Sequence, residues 1–263
     1  MSNFTNFLVI GEVCIDVFNY GEVNRLSPEA PVPILTNIKQ VHSLGMARNV
    51  YENLRTLITK RFRLLEIPNF TTSIIESANK SKKIRYVDER SNHYFLRVDE
   101  DVDYDRIIFN DTITELIKQS DYILISDYNK GFLHYDDILR ICGLAKDSAM
   151  VFLDTKKSID GDILESIDFL KCNYSEYKNN ISKYLFDEYV KKIIITKGSN
   201  GAEYDGVLYP TNPISTMDVS GAGDTFFAAL VYKYAHSKDI PESIKFANQM
   251  ANIVVNKKGV STI

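Results

Sequence analysis

From about Asp105 onward, short apolar runs of β character alternate with stretches of helical periodicity, and that alternation admits few folds. "RIIFNDTITELIKQ" has helical spacing, "YILISDY" is a short apolar run, and "YDDILRICGLAK" is helical again; "MVFLD", "DFLKCN" and "KKIIITKG" supply further strand-like runs. Such runs suit strands buried on both faces, and the helical segments between them are the crossovers that parallel strands require. An α/β fold built on a mostly parallel sheet follows.

The N-terminal part adds β structure of another kind. "FLVIGEVCIDVF" opens with an apolar run ending at Gly11, read as a buried strand followed by a turn carrying Asp16. In "NRLSPEAPVPIL" three prolines fall within six positions. Each removes an amide donor and keeps its predecessor extended, so an exposed or edge-like segment is expected. "GMARNVYENLRTL" reads as a helix after Gly45, with Ala47, Val50, Leu54 and Leu57 along one face. In "KKIRYVDERSNHYFLRVDE", Ile84, Tyr86, Tyr94, Leu96 and Val98 alternate on either side of a polar turn, which is a hairpin pattern.

With 263 residues, 44% hydrophobic and 25% charged, the chain can bury a substantial core, and one domain over 1–263 is expected. No run approaches the roughly 20 apolar residues of a membrane-spanning helix, and "MSNFTNFLVIGEV" has no leader pattern. A cytoplasmic protein without a membrane partner is expected. The net charge of -4 offers no general attraction to nucleic acid. Cys14, Cys142 and Cys172 are odd in number and widely spaced, so they read as core thiols. His42, His93, His134 and His236 show no metal-ligand spacing.

The chemistry concentrates in "DVSGAGDTFFAAL", where a helix should begin near Gly223 and pack through Phe226, Phe227 and Leu230. A helix N-terminus attracts anions, and Gly221 and Gly223 let backbone approach a ligand without a Cβ in the way. Asp224 conflicts with a purely anionic site, because its charge repels phosphate. Phosphoryl transfer resolves the conflict: amides stabilise charge on the transferring group while a carboxylate accepts the proton of the attacking hydroxyl. Taken alone, the segment is equally a turn followed by a capped helix.

Other segments decide between these readings. "DVSGAGDTFFAAL" resembles the C-terminal signature of the PfkB, or ribokinase-like, carbohydrate kinases, and further motifs follow in that family's order. These are Asp16 after the first strand, "GMARN" in place of G-G-x-x-N, "KCNYSE" as N-x-x-E, and "TKGSNG" as the nucleotide-side turn. Within the family, "RLSPEAPVP", "KIRYVDERSNHYFLRVD" and "SDYNKG" look most like the heptose 7-phosphate kinases of ADP-heptose synthesis.

The resemblance implies a three-layer α/β/α sandwich with a small β lid from about 17–42 and 82–99, and a homodimer clasped through that lid. It implies ATP- and Mg2+-dependent phosphorylation of a sugar or sugar phosphate, foremost heptose 7-phosphate to the 1,7-bisphosphate. Gly221, Ala222 and Gly223 would form the anion hole and Asp224 would be the base. Asn173 and Glu176 would organise magnesium and phosphate, usually through water, with Thr196, Gly198 and Asn248 beside the nucleotide. Asp16, Gly45 and Asn49 would face the sugar, with Asp127 at the end of its strand facing the cleft. Arg25, Arg85 and Lys130 are the candidates for an existing substrate phosphate, because a dianion needs cationic donors. An optional K+ site would use carbonyls around Asp218, Ser220 and "KKGVSTI".

Two departures bear on the sugar. Between "NLRTL" and "KKIRY" only "ITKRFRLLEIPNFTTSIIESANKS" intervenes, about one βα unit short of the family pattern. In "GMARN", Met46 and Arg48 stand where small residues are usual. Neither touches the segment around Asp224, so activity is favoured; a kinase for another sugar and a non-catalytic sugar or nucleotide sensor are the rival readings.

Overall fold

Along β1 (Thr5–Gly11) successive side chains enter two different cores: Phe7 and Val9 pack on one side, Leu8 and Ile10 on the other. This is the period of two expected of a strand covered on both faces. The same sorting recurs on β7 (Tyr122–Asp127) and β8 (Met150–Thr155). The computed structural model describes residues 4–61, 70–180, 189–212, 218–257, 259–260 and 262–263.

The remaining strands are β2 (Val13–Leu26), β3 (Pro33–Met46), β4 (Phe70–Glu76), β5 (Ser81–Asp88), β6 (Tyr94–Glu100), β9 (Phe169–Asn173), β10 (Ile193–Thr196), β11 (Ala202–Tyr204) and β12 (Val207–Tyr209). One sheet runs β12-β11-β10-β9-β8-β7-β1-β4, parallel from β10 to β4 and closed by an antiparallel hairpin. The helices are α1 (Ala47–Thr56), α2 (Asp111–Gln119), α3 (Tyr135–Leu144), α4 (Gly161–Ser166), α5 (Tyr174–Asn180), α6 (Ala222–Ser237) and α7 (Ile240–Val255). Buried residues of α1, α6 and α7 join the Phe7 side, and those of α2, α3 and α4 join the Leu8 side. The result is the three-layer α/β/α architecture.

Local chemistry explains the helix boundaries. Asn110, Asp160 and Asp239 each accept an amide of the first turn of α2, α4 and α7, and a proline stands near the start of α7. Ala47, Val50, Leu54 and Leu57 are all fully buried, as their spacing requires. Among the described residues no helix is long and apolar enough to cross a membrane. The three cysteines are free; Cys14 and Cys172 are buried and Cys142 half-buried.

A second sheet, β3-β2-β5-β6, stands off the first. Asp16 lies within β2 and not in a turn, because Glu12 alone separates β1 from β2. The proline-rich stretch becomes the bend between β2 and β3, with Pro33 opening the edge strand β3. Register puts Asp16 opposite Ser43 and Lys83, and Phe18 opposite Val41 and Arg85, so these side chains share one face.

The shortening falls after β4. The strand itself is present beside β1, and only Ser77 to Lys80 join it to β5. Part of the stretch expected to be short, residues 62–69, lies outside the described residues. The short link is fixed: Ser77 N donates to the Gly11 carbonyl, and Val13 N donates to Ser77 Oγ at 3.1 Å.

The core prediction is Phe227→Ala. Phe227 is fully buried on α6 where the helix meets the sheet, so truncation should cost about 3–5 kcal/mol, read from the urea unfolding midpoint.

Candidate active site

The C-terminal ends of the parallel strands collect polar residues at one edge: Asp127, Thr155, Asn173 and Thr196 end β7, β8, β9 and β10. In open α/β sheets ligands bind at that edge. The helix α6 points its N-terminus there, with Gly221 at φ 80° as N-cap and no side chain capping it. A helix start whose amides are not taken by a capping side chain is an anion site. A Cβ on Gly221 would lie 2.6 Å from Asn49 Nδ2, so both conformation and space require glycine.

Asp224 sits in the first turn of α6 and is 6% exposed. Asn49 on α1 donates to its Oδ2 at 3.0 Å, and the Tyr128 hydroxyl donates to its Oδ1 at 2.6 Å. Burial raises its pKa above the ordinary carboxylate value; the hydrogen bonds from Tyr128 and Asn49 and the charge of Lys171 oppose that rise, while Asp154 adds to it. Asn49 is itself held: its Oδ1 accepts from Asn53, whose own Oδ1 accepts from the amide of Ile263. Asn49 and Asp224, predicted on the sugar and catalytic sides, are thus brought into contact.

On the nucleotide side, a cavity of about 120 Å³ is lined by Thr196, Gly198, Gly201, Thr211, Ala222, Gly223, Phe226, Asn248, Ala251 and Asn252. It joins Thr196, Gly198 and Asn248 to the α6 loop, although they are far apart in sequence. Asn248 donates to the Tyr209 carbonyl at 2.9 Å. Beside Gly223, the Lys171 ammonium lies 3.4 Å from where a Cβ would stand. Lys171 is 6% exposed and pairs with Asp154 at 2.6 Å. Burial alone would lower its pKa, but Asp154 outweighs it and the lysine stays protonated.

Asn173 and Glu176 form a reciprocal cap at the start of α5. Asn173 N donates to Glu176 Oε2 at 2.8 Å, and Glu176 N donates to Asn173 Oδ1 at 2.9 Å. The other oxygen of Glu176 accepts from Lys156. Burial pushes the Glu176 pKa up, but the Asn173 amide and Lys156 together bring it below its ordinary value. Among the described residues no three His, Cys, Asp or Glu side chains converge as a metal cage. A divalent ion at the ionised Glu176 would therefore be completed by water and phosphate oxygens, which suits magnesium.

On the sugar side, Arg85 pairs with Asp16 at 2.5 Å, both nearly fully buried, and its guanidinium stacks over Phe18 with 4.8 Å to the centroid. A Cβ on Gly45 would stand 2.1 Å from Asp16 Oδ2. Arg48 turns away to Glu76, 3.1 Å off, and over Tyr51. Met46 is buried at φ 61°, a conformation that favours glycine. Asp218 accepts from Tyr94 of β6, from Ser220 N and from Gly259 N, which ties the loop before α6 to the second sheet and to the C-terminus. Lys258 and Ser261 of "KKGVSTI" lie outside the described residues.

Three predicted residues are placed differently from expectation. Both oxygens of Asp127 are taken by Lys157, at 2.7 and 2.8 Å, with Thr155 on one and Asn129 N on the other, so it does not present itself to the cleft. The Lys130 ammonium pairs with exposed Asp101 at 2.7 Å. Arg25 is exposed at the far end of β2. Conversely Tyr128, Lys156 and Lys171 are at the site without having been singled out. The available signal was Lys171 within the apolar run "DFLKCN", since a lysine on a buried strand needs a reason.

The family model of the pfkB family carbohydrate kinases matches residues 5–263, and the chain belongs to that family. It is a carbohydrate kinase of ribokinase type. The bifunctional protein HldE of Nitratiruptor sp. is 28% identical over 97% of this chain, and that of Helicobacter pylori strain J99 is 30% identical over 96%. The chain spans 62–63% of the length of these relatives. Their alignments extend over 295 and 292 positions, more than the 263 residues of this chain, so the relatives carry segments it lacks. The structure of Arabidopsis thaliana ribokinase complexed with ribose and ATP superposes with a TM-score of 0.67 at 17% identity, covering 98% of this chain and 94% of that one.

Gly221→Ala tests the loop. A left-handed alanine costs roughly 1–2 kcal/mol and its methyl displaces Asn49. Calorimetric affinity for ATP should fall at least about tenfold, with the fold retained by circular dichroism.

Proposed function

We propose that this kinase transfers the γ-phosphate of ATP to a hydroxyl of a sugar phosphate, with heptose 7-phosphate as the first candidate. The observation that carries the reading is Asp224, a buried carboxylate at the mouth of α6, between the glycine loop and the sugar-side Asn49. Asp224 takes the proton of the acceptor hydroxyl as its oxygen forms a bond to the γ-phosphorus and the bond to the ADP oxygen breaks. Gly221, Ala222 and Gly223 offer amides to the charge that develops, with Lys171 behind them. Glu176 with Asn173 would hold magnesium, which neutralises phosphate charge when bound. Thr196, Gly198 and Asn248 line the nucleotide cavity.

Asp16, Gly45 and Asn49 form the sugar side of this reading. Arg85 and Lys83 lie on the same face of the second sheet as Asp16 and suit an existing phosphate on the acceptor. That sheet acts as a lid whose closure excludes water. Carbonyls around Asp218 and Ser220 are proposed for a monovalent cation.

The opposite face carries Leu44, Leu96 and Val98, 38–55% exposed. Such a face suits a second copy, giving a homodimer through the lid. Leu96→Asp should shift sedimentation from dimer to monomer; wild-type protein sedimenting as a monomer ends that proposal.

A specific observation supports a second sugar as the alternative: Met46 occupies a glycine conformation and the β4–β5 link is short, so the sugar side differs from the family pattern. ADP release over a panel of sugars and sugar phosphates decides. Turnover of an unphosphorylated sugar with heptose 7-phosphate ignored sinks the narrower assignment. Asp224→Asn should lower kcat at least about 10³-fold with ATP affinity retained, and unchanged turnover refutes its role as base.

A further inference from the structure

The hydroxyl of Tyr128 donates to Asp224 Oδ1 at 2.6 Å, and three further observations show that this phenol is held in place. First, its backbone is clamped. Glu12, fully buried in the one-residue joint after β1, accepts the amides of Tyr128 and Lys130 at 2.8 and 3.0 Å, and Asp127 accepts that of Asn129 at 3.0 Å. A buried carboxylate is costly to keep, and these amides are what satisfy it. Second, Asn129 takes a left-handed φ of 56°, so the loop turns sharply right after Tyr128. Third, two ammonium groups, Lys83 from β5 and Lys156 after β8, each lie 5.3 Å from the Tyr128 ring centroid. A cation over a ring is attracted to its face, so the two lysines hold the ring from either element.

We propose that Tyr128 is a positioning residue for the base: its hydroxyl, aimed by the Glu12-clamped loop, orients Asp224 and keeps it ionised for the acceptor. This rests on the reading of Asp224 as base. An ionised carboxylate has about four acceptor directions; Asn49 and Tyr128 fill one on each oxygen, and the acceptor hydroxyl is confined to those that remain. The ionisable groups near Asp224 include Lys83 and Lys156 beside the phenol, Asp154 on β8, Lys171 on β9, Cys14 on β2 and Tyr128 itself. A Tyr128→Phe substitution alters only the last, so the change between variant and wild type isolates the phenol.

The hydrogen bond lowers the Asp224 pKa against burial. Its removal raises that pKa, and the acid limb of the kcat/KM profile must move to higher pH. The experiment measures kcat and KM for Tyr128→Phe from pH 5.5 to 9.5 by ADP release, using the acceptor found by the panel. Asp224→Asn runs beside it, and circular dichroism controls for folding. The expected result is a raised acid limb, a kcat loss that is greatest at pH 5.5 and shrinks steadily toward pH 9.5, and an acceptor KM changed by less than about threefold. A loss uniform across pH, or no loss, overturns the proposal while Asp224→Asn stays inactive. Turnover retained by Asp224→Asn instead refutes the base assignment, and the proposal with it.

Discussion

On the proposed reading of Asp224 as base, keeping its buried carboxylate ionised is the constraint around which this molecule is arranged. A bare buried carboxylate would take up a proton and lose its use as a base. The fold answers with donors from distant parts of the chain: Asn49 from α1 and Tyr128 from the loop after β7. Each donor is held by something further back. Asn49 depends on Asn53 and, through it, on the amide of Ile263; Tyr128 depends on Glu12. Start, middle and end of the chain are thereby committed to one side chain.

The candidate site carries more buried charge than a structural core would keep. Arg85 with Asp16, Lys157 with Asp127, and Lys171 with Asp154 each place at least one partner nearly out of solvent. Such pairs seldom gain stability over apolar residues of similar size. Two of these pairs lie where the parallel strands end and the third on the second sheet, which suits the phosphate-handling cleft proposed above: a fixed field needs no rearrangement when ligand charge arrives.

The parallel sheet was legible because strands buried on both faces leave continuous apolar runs, and the α6 loop because glycines and an acid at a helix start are a local pattern. The β5–β6 hairpin and the extended edge-like segment could be read for the same reason, since alternation and proline act within a few residues. What could not be read depends on distance in sequence. Asp16 reads as a turn residue until β2 is seen to leave β1 after a single residue. Asp127 ends its strand as expected, yet Lys157 and Thr155, which occupy it, come from the next strand's end. Lys130 has the charge of a phosphate ligand, but its partner Asp101 stands 29 positions away in the sequence. Tyr128 was hidden by its own motif, since an aromatic beside a strand is ordinarily packing.

Three of the four joints between the two sheets are short: only Glu12 lies between β1 and β2, nothing separates β3 from α1, and Ser77 to Lys80 link β4 to β5, while residues 101–110 join β6 to α2. The three short connections leave little slack for sliding, so the lid closure proposed above would be a rotation about a line through them. The 14 residues of β2 extend about 45 Å at roughly 3.3 Å each. A swing of about 10° therefore carries the far end some 8 Å, by that same length, while Asp16, three residues beyond Val13, scarcely shifts. Geometry of this kind separates two duties along one strand, a steady grip near the pivot and a long sweep at the tip.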